Sequence, residues 1–252
     1  MDAGETAPVG RREQPSRDRS DRSLDGDPDA DDPAGERSMS AGDIEDIYAT
    51  YADRIDRFEA VDRLVTGRFR RRQFGDATGR VLDVACGTGT NFRYLPADVD
   101  LVGIDISPEM LESAAATLDG LEVGGTLRRM DAQALEFPDD SFDTVVSALS
   151  TCTFPDPVAA LREMERVCRP GGEIRLVEHG RSDVGPLARF QEWRADAHYE
   201  RMGCRWTQEP LALVDEAGLT VESAATAFLG VITTVTARPS APGSVGEGAD
   251  HR

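Results

Sequence analysis

The 252-residue sequence contains no lysine: all 28 basic residues are arginine, set against 47 acids, and the formal charge is −19. Neutralising phosphates takes a basic face, and none is visible here, so nucleic acid is not expected as a partner. The acidic excess is not confined to one tail, since residues 1–40 hold only 11 of the acids and 6 of the arginines. Two readings compete: a GC-rich genome, which favours arginine codons, and an acidic surface that stays soluble at high internal salt, which is preferred. A salt-adapted cytoplasmic protein is expected. Long apolar runs are also missing. None approaches the roughly 20 residues that span a bilayer, so no stable membrane insertion is expected. Arg11-Arg12 is followed by polar and charged residues with no apolar stretch, unlike a twin-arginine export signal. The four cysteines, Cys86, Cys152, Cys168 and Cys204, form no CxxC pair. Their spacing argues for reduced structural thiols and against zinc, and no metal site is expected.

Residues 1–40 and 239–252 have almost nothing to bury and read as disordered tails around a domain at 41–238. Within that domain, helical and strand-like segments alternate, the pattern of an α/β sheet with crossover helices. "AGDIEDIYATYADRIDRFEAVDRLVTGRFRRRQFG" reads as two helices, with Ile44, Ile47, Tyr48 and Tyr51, then Val61, Leu64, Val65 and Phe69, at helical spacing. "RVLDVA", "VDLVGIDI", part of "LEVGGTLRRMDA", "SFDTVVSAL" and "EIRLVEHG" supply five strands. "TVESAAT" and "FLGVITTVTA" close the sheet. Ser107 and Pro108 suit the N-cap and first turn of a helix. "DPVAALREMERVCRPGG" reads as a helix stopped by Pro-Gly-Gly, and Leu187, Phe190, Trp193 and Ala197 mark an amphipathic helix.

The chemistry concentrates in "VLDVACGTGTNF", Val81 to Phe92, a strand running into a glycine turn. A dinucleotide fingerprint requires G-x-G-x-x-G; here Gly87-Thr88-Gly89 is followed by Thr90, Asn91 and Phe92, so the third glycine is absent and a pyrophosphate is disfavoured. The second strand ends in Asp105, 22 positions after Asp83. A carboxylate there can accept both ribose hydroxyls, a demand common to nicotinamide cofactors and S-adenosylmethionine (SAM). The residues alone indicate an adenosine-type ligand and do not choose between the two.

"VLDVACGTGTNF", "GIDISPEML", "MDAQALEFPDDSFDTVVSAL" and "ALREMERVCRPGGEIRLVEHG" resemble the successive motifs of class I SAM-dependent methyltransferases. The resemblance spans roughly residues 44–237. It implies a Rossmann-like α/β fold: a mostly parallel seven-stranded sheet, helices on both faces and an antiparallel last strand. "FPDDSFD" and "RPGG" resemble the quinone-biosynthesis group. "VEHG…FQEW…GCRWTQEPLALVDEAGL" looks closer to the phospholipid N-methyltransferase-like proteins and the methyltransferase-like thiol S-methyltransferases. Glu178-His179 stands where the quinone enzymes usually carry Glu-Phe.

Carried onto this sequence, the resemblance implies SAM as cofactor. The backbone of Ala85, Gly87 and Gly89 would lie under its methionine part, and Asp83 would orient that loop or the ammonium group. Asp105 would hold the ribose, with Ile106 and Met110 near the adenine. Asp131 and the Ala132 backbone would take the adenine amino group, and Ser147, Ala148 and Leu149 would floor the sulfonium. Each acid also has a purely structural reading, as a turn cap or loop residue.

The acceptor would be a small, lipophilic molecule: a quinol precursor, a thiol or an amino lipid. His179 is the candidate base, since ligands of open α/β sheets bind outside the strands' carboxyl ends and imidazole titrates near neutrality; the alternative is that it shapes the pocket. Glu178, its neighbour on the strand, points to the opposite face, so no direct pair is expected. Tyr48 and Tyr51 read as core or lid packing in preference to acid–base groups, and Leu187, Phe190 and Trp193 as a buried helix stripe in preference to the acceptor-pocket wall that the resemblance implies there, with His198 exposed. Two other functions stay open: a SAM-binding protein without turnover, and a nicotinamide-dependent oxidoreductase.

Overall fold

The computed structural model describes residues 39–240, apart from the side chains of 50–61. Residues 1–38 and 241–252 of the expected tails, His251 among them, and the side chains of Tyr51 and Val61 lie outside the described residues, whereas Met39, Ser40 and Ser240, assigned to the tails, are hydrogen-bonded to the domain. In chain order the elements are α1 (Ala41–Phe74), β1 (Arg80–Val84), a 3-10 turn (Phe92–Tyr94), β2 (Asp100–Asp105), α2 (Pro108–Asp119), β3 (Gly125–Arg129) and β4 (Phe142–Ala148). They continue with α3 (Pro157–Val167), β5 (Cys168–His179), α4 (Gly185–Met202), α5 (Pro210–Ala217), β6 (Thr220–Ala227) and β7 (Ile232–Arg238). The strands form one seven-stranded sheet in the order β3-β2-β1-β4-β5-β7-β6, and β7 runs antiparallel to both its neighbours.

Alternation along the central strands builds two cores, because successive side chains point to opposite faces. Leu82, Val84, Val102, Ile104, Val145 and Leu176 meet α3 and α5 on one face. Val81, Leu101, Val146 and Val177 meet Phe74 of α1, Ala114 of α2 and Phe92 on the other. Both faces are covered, which is why these strands read as nearly continuous apolar runs.

Three elements depart from the sequence reading. The two expected N-terminal helices are one, α1, of 34 residues. No glycine or proline interrupts residues 43–66, so nothing breaks the backbone ladder. A reciprocal capping box starts the helix, with Asp43 N–H donating to Ser40 Oγ (3.2 Å) and Ser40 N–H to Asp43 Oδ2 (2.9 Å). Helix α3 ends at Val167, before the Pro-Gly-Gly. Proline disfavours the helical conformation in the residue before it, and Cys168 is already extended and paired with Phe142. Pro170-Gly171-Gly172 then forms an irregularity inside β5 before pairing resumes at Glu173 with Thr144.

The apolar stripe of α4 is not buried: Phe190 is 51% and Trp193 75% exposed, while Ala188 and Gln191 face inward. The helix is held by polar contacts. Gln191 accepts from Ser182 N–H (2.8 Å) and donates to Gly180 O (3.0 Å), and Trp206 Nε1 donates to Gln191 O (3.1 Å).

Candidate active site

The sheet order reverses direction between β1 and β4, the topological switch point where open α/β sheets bind ligands. A cavity of about 270 Å³ lies there, at the carboxyl ends of β1 to β4 and beneath the start of α1. Of the residues picked out from the sequence, Ala85, Gly87, Asp105, Ile106, Met110, Asp131, Ala132, Ala148 and Leu149 line it. Tyr48 lines it as well.

The glycine turn begins with Ala85 at φ 53°, a left-handed conformation that costs a non-glycine residue roughly 1–2 kcal/mol. Leu149, at the end of β4, has φ 57°. Strain of this kind persists only where the surroundings over-determine it and clusters at ligand sites; here both residues face the same cavity. Gly87 has φ +55°, and a Cβ added to it would meet nothing within 4 Å, because that side is open. Gly89 differs. At φ +79°, its added Cβ would come within 2.5 Å of the Phe92 ring. Phe92, standing where a third glycine was absent, is fully buried and fills the space between Gly89 and Gly103. Gly89 thus lies behind the wall and shapes it. Thr117 Oγ1 donates to Thr88 O (2.8 Å) and ties the turn to α2.

Asp105 closes the turn from the neighbouring strand: Gly87 N–H donates to its Oδ2 (2.8 Å) and Ser107 N–H to its Oδ1 (3.0 Å). Each oxygen keeps a lone pair for a further donor. Burial raises the pKa of this carboxyl, and the backbone amides oppose the rise. Asp131 follows β3 and is oriented by Gln133, whose N–H donates to Oδ1 (2.9 Å).

Asp83 does not line the cavity. It is fully buried beneath the turn, where Asn91 Nδ2 donates to Oδ1 (2.9 Å) and Oδ2 has no hydrogen-bond partner. Burial pushes its pKa up to about 7, against the pull of Asn91 and Arg70. Arg70, which the sequence reading missed, reaches the same network from α1. Its guanidinium donates to Asn91 Oδ1, pairs with Asp62 (3.2 Å) and lines the cavity although only 5% of the residue is exposed. The signal was present as arginine on the inward face of a helix, but only folding shows which arginine is turned in.

Ser147 is buried behind the wall, its hydroxyl donating to Val84 O (2.9 Å) and contacting Ser150 Oγ. Glu178 faces that loop rather than His179: Ser150 N–H (3.2 Å) and Thr151 N–H (3.4 Å) donate to its carboxylate. Burial raises its pKa, and His179 and these donors counter the rise. His179 is placed outside the cavity lining, with Nε2 at 3.3 Å from Cys204 Sγ. His198, expected to be exposed, is half-buried and stacks on Trp206 with ring centroids 4.2 Å apart. Cys86 lines the cavity as a thiol whose pKa is raised by burial and by Asp83 and Asp105.

Fold and cavity together define an α/β protein with a cavity at the sheet's switch point, walled by a glycine turn and a strand-end carboxylate. Comparison with known proteins carries this further. The Methyltransferase domain family matches residues 82–176. The chain is 43% identical over 136 residues to phosphatidylethanolamine N-methyltransferase of Cereibacter sphaeroides, covering 49% of this chain and 67% of that protein. It is 33% identical over 154 residues to demethylmenaquinone methyltransferase of Deinococcus radiodurans, covering 58% and 64%. The matches thus span about two thirds of these relatives' own lengths. Among solved structures, a SAM-dependent methyltransferase of Thermotoga maritima superposes with a TM-score of 0.60 at 20% identity, over 78% of this chain and all of that one. The chain belongs to the class I SAM-dependent methyltransferases.

Proposed function

We propose that the cavity holds SAM and that the chain transfers its methyl group to the amine of a lipophilic acceptor, an amino lipid of the phosphatidylethanolamine kind. Two features fit SAM. The cavity side of Gly87 is open for a ligand to lie against the backbone, and both Asp105 oxygens retain lone pairs. In this reading Ala85 and Gly87 carry the methionine part, with Gly89 shaping the turn from behind. Asp83 orients the turn from beneath through Asn91, and Arg70, the one cation among the described lining residues, faces the carboxylate. Asp105 holds the ribose, Ile106 and Met110 flank the adenine, and Asp131 with the Ala132 backbone takes its amino group. Ala148 and Leu149 floor the sulfonium, Ser147 bracing them.

Bound SAM supplies an electrophilic methyl group, so the chain contributes alignment and exclusion of water rather than a nucleophile. Ile44, Leu149, Phe154 and Pro155 give the acceptor side an apolar wall. Apolar surroundings disfavour an ammonium and favour the neutral amine, whose lone pair is the attacking group. Tyr48 keeps its phenolic proton, because burial first and the nearby Cys152, Cys204 and Asp105 next push its pKa up. It can therefore orient a lone pair but not remove a proton. His179 has no proton-transfer role in this reading.

The observation that carries the proposal is the Asp105 carboxylate locked onto Gly87 N–H at 2.8 Å at the rim of the cavity. Calorimetric titration with SAM, S-adenosylhomocysteine and NADH, followed by methyl-label transfer to phosphatidylethanolamine, a demethylmenaquinol and an alkyl thiol, tests it. Binding of the two adenosyl ligands alone and label in the amino lipid are expected. Label only in the quinol or thiol would reassign the acceptor. Failure of a folded protein to bind SAM would sink the reading.

A further inference from the structure

Cys152, His179 and Cys204 come from three distant points of the chain, yet one ligand atom of each lies within 4.8 Å of the other two. The fold places them. Strands β4 and β5 are parallel neighbours, so the segment after β4, carrying Cys152, lies beside the end of β5 at His179. Helix α4 then returns, and Gly203 ends it in the left-handed conformation at φ 62°, which turns Cys204 back toward the strand ends. A Cβ on Gly203 would meet Ile44 Cδ1 at 2.5 Å, so the turn also packs tightly against α1. Both flanks are pinned. Arg205 N–H donates to Cys152 O (2.8 Å), Gln208 Nε2 donates to Thr151 Oγ1 (2.8 Å) and to His179 O (3.4 Å), and Arg205 Nη1 donates to Phe154 O (2.7 Å).

We infer that Cys152, His179 and Cys204 form a three-ligand site for a thiophilic divalent cation of the zinc class, tying the loop that walls the cavity to the turn after α4. Zinc takes sulfur at ~2.3 Å and imidazole nitrogen at ~2.0–2.1 Å in a tetrahedron, which sets such donors roughly 3.5–3.8 Å apart. The observed spacing, 3.3 Å between Nε2 and Cys204 Sγ and no more than 4.8 Å overall, reaches this by small side-chain rotations. Both cysteines are buried and unbridged, so the sulfurs are available as ligands. Charge balances too. Binding releases one proton from each thiol, and two thiolates with a neutral imidazole cancel the ion's double charge, leaving a neutral centre to bury. Two sulfurs and one nitrogen select a soft, tetrahedral ion over calcium or magnesium. The fourth position is left for water. Leu149, Ser150 and Thr153, which flank Cys152, line the cavity, so the ion would stiffen the acceptor-side wall. The site goes beyond the methyl-transfer reading and stands or falls independently of it.

The test uses reduced, metal-stripped full-length protein. Zinc is titrated against a chromophoric chelator, and cobalt(II) is titrated while thiolate charge-transfer and ligand-field absorption are followed. Expected are one ion per chain, a tetrahedral thiolate–cobalt spectrum displaced by zinc, and a rise in Tm on metal addition. Cys204→Ser and His179→Asn should lose affinity by at least about 100-fold. Cys168→Ser, a buried thiol outside the cluster, should bind as the parent does. No uptake by the folded parent protein, a cobalt spectrum without thiolate bands, or uptake unchanged by Cys204→Ser would overturn the proposal. If the variants fail to fold, the parent's cobalt spectrum decides alone.

Discussion

At the scale of single residues, two carboxylates on neighbouring strands beside the glycine turn have opposite circumstances. Asp105 is satisfied by two backbone amides, and its remaining capacity points to a ligand. Asp105→Ala should weaken SAM binding by roughly 10- to 100-fold, since a hydrogen bond to a charged group contributes about 1.5–3 kcal/mol; calorimetry reads this directly, and unchanged affinity would remove the ribose assignment. Asp83 is buried with one oxygen unpaired, and its pKa is raised to about 7. A carboxyl whose folded pKa exceeds the unfolded value of about 3.9 adds stability that is complete below that value and lost as pH rises through the folded one. The ligand-free protein should therefore lose stability between about pH 4 and pH 7 on this account. Asp83→Asn keeps the acceptor for Asn91 and should flatten that slope, by roughly 2–4 kcal/mol at pH 8. Parallel slopes for the two proteins in denaturant melts across pH would refute the assignment.

At the scale of elements, the glycine turn separates folding from binding. Gly87→Ala meets no atom but must hold a positive φ, costing roughly 1–2 kcal/mol, and it sets a methyl group on the open side facing the ligand. Gly89→Ala carries the same backbone strain plus a collision with the buried Phe92 ring. The first variant should fold with a modest loss of Tm and bind SAM poorly; the second should lose several degrees more. Thermal melts paired with SAM titration check both, and equal losses of Tm would contradict the packing seen at Phe92. The strands, Ser107 as N-cap and most of the cavity lining were legible because strand alternation, turn glycines and caps are local effects. Reading α1 as two helices failed because no breaker was present to part them. The α4 stripe was misjudged because apolar spacing marks a face without saying whether anything covers it. Arg70 and Asn91 escaped notice because their meeting with Asp83 joins α1 to the turn after β1, and no local pattern records that.

Across the whole molecule, the −19 charge without a single lysine sets how the chain responds to salt. Repulsion among surface acids is screened as the Debye length shrinks from about 10 Å at 0.1 M to about 3 Å at 1 M salt. Tm should therefore rise with KCl over that range and well beyond what an equal osmolality of sucrose produces. A flat response would remove salt adaptation as the reason for the composition. No described helix is long and apolar enough to cross a membrane, yet Phe190 and Trp193 stand exposed on α4. The sequence by itself determined the fold class, the order of the motifs, the glycine turn and the acid at the end of the second strand, because strand period, turn chemistry and motif spacing are written along the chain. Only the tertiary structure decided that His179 turns to Cys204 instead of the cavity, that Arg70 and not another arginine enters it, and that cysteines 52 positions apart bring their sulfurs within 4.8 Å of each other. Those outcomes depend on which strand ends become neighbours, and in a parallel sheet that is fixed by crossovers spanning the whole domain.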